Sequence, residues 1–125
     1  MSKKALIIDD SAEFRDSLKE LLTSNDYEVI TAESGEQGYT EAVNVKPDLI
    51  LLDVMMENSG AGLDTVKKLR DADETAGIPV MLLTGIHKPQ HLLESFAPGE
   101  EFPNVRKVFE KPVSPSAFVE VLGEI

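Results

Sequence analysis

The chain has 125 residues, 42% hydrophobic and 28% charged, with a net charge of −11 and no cysteine. That length suits one domain able to bury about two thirds of its unfolded surface, and the composition is that of a folded protein. The acidic balance argues against direct contact with nucleic acid or anionic lipid, which need cationic surface, and the lack of cysteine excludes disulfides and thiolate metal sites.

After Lys3 and Lys4 comes Ala5-Leu6-Ile7-Ile8, a short apolar run that reads as a strand buried on both faces. It is too short for a signal peptide or a membrane span, so a cytoplasmic protein without a membrane partner is expected. Phe14, Leu18, Leu21 and Leu22 then recur at helical spacing, with Asp10 and Glu13 able to form a capping box at the start. Tyr27 to Ala32 is more mixed, as an edge strand should be. Ser34 and Gln37 offer a second capping box, opening a helix to about Lys46 that Pro47 ends. Leu49-Ile50-Leu51-Leu52 is another doubly buried strand, followed by a helical stripe of Leu63, Val66 and Leu69. Val80 to Leu83 repeats the strand pattern. Pro89 to Phe96 gives a weaker fourth helix, short or irregular, and Val105 to Phe109 a second edge strand. Phe118, Val121, Leu122 and Ile125 form a last stripe, with Ser114 as cap and Pro115 in the first turn. Strands and helices alternate throughout. Right-handed crossovers then build an open parallel sheet with helices on both faces.

The stretch "DLILLDVMM", residues 48–56, puts Asp53 inside an apolar run, where an unpaired carboxylate would cost several kcal/mol to desolvate. In such sheets ligands sit beyond the carboxyl ends of the strands, where strand order reverses. There the first strand ends in Asp9-Asp10, the third in Asp53, the fourth in Thr84 and the fifth in Lys111. If the first and third strands are neighbours, three carboxylates converge. Two of them about 4 Å apart repel by roughly 4 kcal/mol at an effective dielectric near 20, and a hard divalent cation relieves that. Mg²⁺ suits a site with few carboxylates that also takes phosphate. With a hydroxyl and a lysine added, the pocket can hold a phosphoryl group.

The stretches "LIIDDSAEFR", "PDLILLDVMM", "IPVMLLTG" and "FEKPVSP" resemble, in order and over essentially the whole chain, the signatures of the bacterial response-regulator receiver domain. The resemblance implies a single flavodoxin-like doubly wound domain over residues 1–125. Its five parallel strands would lie in the order 2-1-3-4-5 with five helices, and no output domain is expected in this chain. It further implies Asp53 as phospho-acceptor and Mg²⁺ held by Asp9, Asp10, Asp53 and the Met55 carbonyl. Thr84 would be the switch hydroxyl, and Lys111 would contact the phosphoryl group. The donor would be a sensor histidine kinase or phosphotransfer protein. The downstream target would be a protein, with a phosphorylation-dependent dimer among the assemblies expected.

Several positions depart from the family pattern. Glu57 stands where the family usually has proline, and Gly62 comes one residue late. Val108 occupies the usual aromatic switch position, with Phe109 one residue further on. Either the aromatic switch is absent or a register slip restores it, and absence needs no extra irregularity. About five additional residues separate Thr84 from Lys111, so the segment before the last strand should be idiosyncratic. Met55 and Ile86, at positions that flank the attacking water in receivers, are apolar, which implies slow self-dephosphorylation; separately, turnover on external substrates is not expected.

Plainer readings stand beside these. Asp9 and Asp10 could simply cap the first helix, Thr84 could be a strand-end hydroxyl, and Lys111 could be solvated. His87 and His91 are read as a solvated helix start because Pro89 intervenes and no third ligand is at hand. Two other functional classes compete: a receiver-like docking module that is never phosphorylated, and a small Mg²⁺-dependent phosphatase. The latter usually carries a second acid where Met55 stands.

Overall fold

The computed structural model describes residues 3–9, 11–53, 61–84, 105–110 and 115–124. The apolar runs become strands: β1 (Lys3–Ile8), β2 (Tyr27–Ala32), β3 (Leu49–Asp53), β4 (Val80–Thr84) and β5 (Val105–Glu110). The amphipathic stretches become α1 (Ala12–Thr23), α2 (Gly35–Val45), α3 (Ala61–Asp71) and α4 (Pro115–Glu124). The helix expected over Pro89–Phe96 falls outside the described residues.

All five strands form one parallel sheet in the order β2-β1-β3-β4-β5. The chain moves outward from β1 to β2, then crosses back over β1 to β3 and continues away. The strand order therefore reverses between β1 and β3, the kind of switch point beside which ligands sit in open parallel sheets.

Each face of the sheet buries its own apolar cluster, because side chains alternate along a strand. Leu6, Ile8, Ile50, Leu52, Val80 and Leu82 pack with Ala42 of α2 and with Val66 and Leu69 of α3. Ala5, Ile7, Leu49, Leu51, Met81 and Leu83 pack with Leu18 and Leu22 of α1 and with Phe118 and Leu122 of α4. The apolar stretches at residues 5–8, 49–52 and 80–83 are buried on both faces, which explains why their sequences do not alternate in polarity. At Gly38 the backbone of α2 comes so close to β1 that a Cβ there would stand 2.6 Å from Ile8 Cγ1.

Helix ends follow sequence chemistry with one correction. The cap of α1 is Ser11, not Asp10: its hydroxyl accepts from the Phe14 N–H at 3.3 Å. The helix begins one residue later than the Asp10–Glu13 pairing requires, because Asp9 already turns the chain by accepting from the Ser11 N–H. Ser34 caps α2 as expected, accepting from the Gln37 N–H at 3.2 Å. That helix closes on Lys46 in a left-handed conformation (φ 53°), directly before Pro47. Gly62, one residue late against the family pattern, lies in the first turn of α3.

The pairing of β4 with β5 carries an irregularity. Val80 pairs with Val105 and Met81 with Lys107, so Arg106 is the extra residue. From Lys107 to Glu110 the register is unbroken, with Leu82 opposite Val108 and Leu83 opposite Phe109. A slip exists in this strand, but upstream of Val108 and Phe109.

Candidate functional site

Asp9 directly follows the last residue of β1, and Asp53 is the last residue of β3. Ile8 pairs with Leu52, so one further step along both strands brings Asp9 and Asp53 level at the switch point. Neighbouring strands lie about 4.8 Å apart, which sets the scale of their separation. Alternation puts both on the face of Ile7 and Leu51, the side covered by α1 and α4. Both are buried: Asp9 is 0% exposed and Asp53 4%.

The surroundings of Asp9 are closely specified. Its N–H donates to the Ala32 carbonyl of β2 at 3.1 Å. Its carboxylate Oδ1 accepts from the Ser11 N–H at 2.8 Å, and its carbonyl accepts from Arg15 Nη1 at 2.6 Å. Asp9 thus makes the turn that starts α1 while standing buried beside Asp53 at the strand tips. Arg15 had no role in the sequence-based expectations. The signal that could have found it is its place on the first turn of α1, within reach of the strand tip before it.

Thr84 ends β4 with its backbone paired to Glu110, one step beyond the Asp53–Leu83 pair. The same edge of the sheet thus carries Asp9, Asp53, Thr84 and Glu110, the residue before Lys111. The structure brings Asp9 and Asp53 together and places Thr84 at the adjacent strand end. Asp10, Met55 and Lys111 lie outside the described residues. Among the described residues no group of three His, Cys, Asp or Glu could hold a metal ion, and two of the three acids expected to do so are present and adjacent.

Two like charges about 4 Å apart repel by roughly 4 kcal/mol at an effective dielectric near 20, so buried carboxylates on neighbouring strand tips favour a cation between them. Hard oxygen donors in such a pair fit Mg²⁺, which binds through one or two carboxylates and keeps waters for phosphate to displace. The arrangement has the donor chemistry to gather a cation.

An acidic pair at the switch point of a 2-1-3-4-5 parallel sheet defines a flavodoxin-like domain whose ligands bind at the strand tips. The family model of the response regulator receiver domain matches residues 5–122, and the chain belongs to that family. It is similar to the chemotaxis protein CheY of Thermotoga maritima, with 30% identity over 126 residues covering 100% of this chain and 98% of that protein. It is equally similar to the phosphate regulon transcriptional regulatory protein PhoB of Pseudomonas aeruginosa, 30% identical over 125 residues. That match covers all of this chain and 52% of PhoB, so the chain spans about half the length of that relative. Among solved structures, the chemotaxis protein CheY4 of Vibrio cholerae matches with a TM-score of 0.85 and 23% identity, covering 100% of this chain and 99% of that one. A response regulator protein from Burkholderia multivorans matches with a TM-score of 0.74 and 30% identity, covering 99% and 94%. The chain is thus a receiver domain of two-component signalling, a class that works by phosphorylation. No described helix is long and apolar enough to cross a membrane.

Proposed function

We propose that this chain is a phosphorylatable switch that takes a phosphoryl group onto Asp53 from a sensor histidine kinase or phosphotransfer protein. The observation that carries the proposal is the burial of Asp9 and Asp53 side by side at the switch point. Asp53 ends a fully apolar strand, so its carboxylate is fixed by the sheet and shielded from bulk water. One carboxylate oxygen attacks phosphorus as the phosphorus–nitrogen bond to the donor imidazole breaks. The electron pair of that bond stays on the imidazole, and Asp53 becomes an acyl phosphate.

Asp9, Asp10, Asp53 and the Met55 carbonyl would hold Mg²⁺, which when bound offsets the negative charge gathered around the phosphoryl oxygens. The Thr84 hydroxyl donates to one of those oxygens, and the Lys111 ammonium neutralises another. Hydrolysis returns Asp53 to its free carboxylate, slowly, because Met55 and Ile86 carry no group to orient water. The domain occupies residues 1–125, is cytoplasmic, and acts through contact with a downstream protein or a second copy of itself. Its own charge of −11 opposes direct contact with nucleic acid.

Incubation with acetyl phosphate and Mg²⁺ followed by intact mass measurement tests this reading. One phosphoryl adduct is expected, absent in Asp53→Asn and persisting for minutes or longer after the donor is removed. No adduct would favour the docking module, and turnover of an added phosphate ester would favour the phosphatase. An adduct lost within seconds would contradict the assigned roles of Met55 and Ile86.

A further inference from the structure

Arg15 is a charged side chain at this end of the sheet that phosphoryl transfer leaves unused. It sits on the first turn of α1, yet its side chain is only 14% exposed. Its guanidinium fork is divided between two partners. Nη1 donates to the Asp9 carbonyl at 2.6 Å, and Nη2 lies 3.6 Å from the Glu33 carboxylate in the turn between β2 and α2. The first is short and charge-assisted, so it is the stronger. The second involves a glutamate that is 74% exposed, and such ion pairs contribute little. Glu33 is itself held, since its N–H donates to Gln37 Oε1 at 3.0 Å.

The consequence falls on Asp9. Its N–H is tied to β2 through Ala32, and its carbonyl is tied to α1 through Arg15. With the main chain fixed on both sides, only side-chain rotation remains, and the Ser11 N–H restrains that at Oδ1. We infer that Arg15 is a positioning residue of the acidic site, its fork holding the β1 tip so that the Asp9 carboxylate keeps one orientation for a cation. The inference rests on the reading of Asp9 as a cation ligand.

A guanidinium here has two opposed effects. Its charge alone weakens cation binding, whereas its hold on the Asp9 main chain strengthens it. Groups that orient a metal ligand typically change affinity 10–100-fold when lost, so the hold dominates. Lysine at this position keeps the charge but is a single point donor that cannot serve both partners.

Titration calorimetry of the full chain with MgCl₂ alone separates the two effects. Arg15→Lys and Arg15→Gln should both raise the Mg²⁺ Kd by about 10-fold. Phosphorylation by acetyl phosphate should return to within about twofold of the parent rate once Mg²⁺ saturates, which general structural damage would not allow. An unchanged Kd in Arg15→Lys, or tighter binding in Arg15→Gln, would leave only the charge and overturn the inference. A parent chain that binds no Mg²⁺ would overturn the reading of Asp9 as well. Should the variants fail to fold, the Arg15 Nε resonance of the parent decides. It should move along the Mg²⁺ binding isotherm, and a resonance that stays still would refute the role.

Discussion

The two faces of the sheet are built from the same strands and end differently. Towards α2 and α3, the alternate residues Leu6 and Ile8, Ile50 and Leu52, and Val80 and Leu82 are all hydrocarbon. Towards α1 and α4, Ile7 and Leu51 are followed at the next position on that face by Asp9 and Asp53, both buried. The apolar face locks the register, because a one-residue slip would turn every core side chain over. That register also keeps Asp9 and Asp53 level at neighbouring strand tips. At the tips of β1 and β3 the buried acids thus stand on one side of strands that hydrocarbon on the other side holds in register.

The largest effect on this division should come from Phe118, fully buried beneath α4 on the acidic face. Phe118→Ala should cost about 3–5 kcal/mol in urea unfolding. A cost under about 1 kcal/mol would mean that α4 does not cover that face as described.

On the opposite face, Gly38→Ala sets a helix-propensity gain of up to about 1 kcal/mol against overpacking of about 1–3 kcal/mol. A Cβ only 2.6 Å from Ile8 Cγ1 makes overpacking win, so a net loss of stability is expected. Stabilisation by the full propensity gain would show that α2 can lift away from β1 freely.

The smallest effect concerns the amino-terminal end of the sheet. Burial pushes the Tyr27 phenol above its ordinary value, and the Asp48 carboxylate adds to this. The neutral phenol is therefore favoured in the folded state. Its contribution is complete below pH of about 10 and is lost as pH rises from there through the folded-state value. Tyr27→Phe should flatten that part of the alkaline stability profile relative to the parent. Identical slopes above pH of about 10 would contradict it.

Much of this was legible in the sequence. The strands β1, β3 and β4 announce themselves because burial on both faces leaves no room for polar residues. Ser34 and Gln37 mark α2 because few other arrangements satisfy its first N–H groups. Asp9 and Asp53 stand out as acids where hydrocarbon is the rule. The rest depends on partners remote in sequence. Asp9, Asp10 and Ser11 are all competent caps, and only the turn made by Asp9 decides that Ser11 is used. The extra residue Arg106 exists only relative to its pairing with β4. Arg15 reads as one more charged residue on a helix until the strand tip beneath it is seen.

Thermal melting of the parent and Asp53→Asn, with and without Mg²⁺, tests the paired-carboxylate site most directly. Without the cation, Asp53→Asn should melt higher than the parent, because one of two repelling charges is gone. Mg²⁺ at about 100 times its Kd should stabilise the parent by about 2.7 kcal/mol and the variant far less. A parent melting temperature indifferent to Mg²⁺, or an Asp53→Asn variant that melts lower without it, would contradict the site.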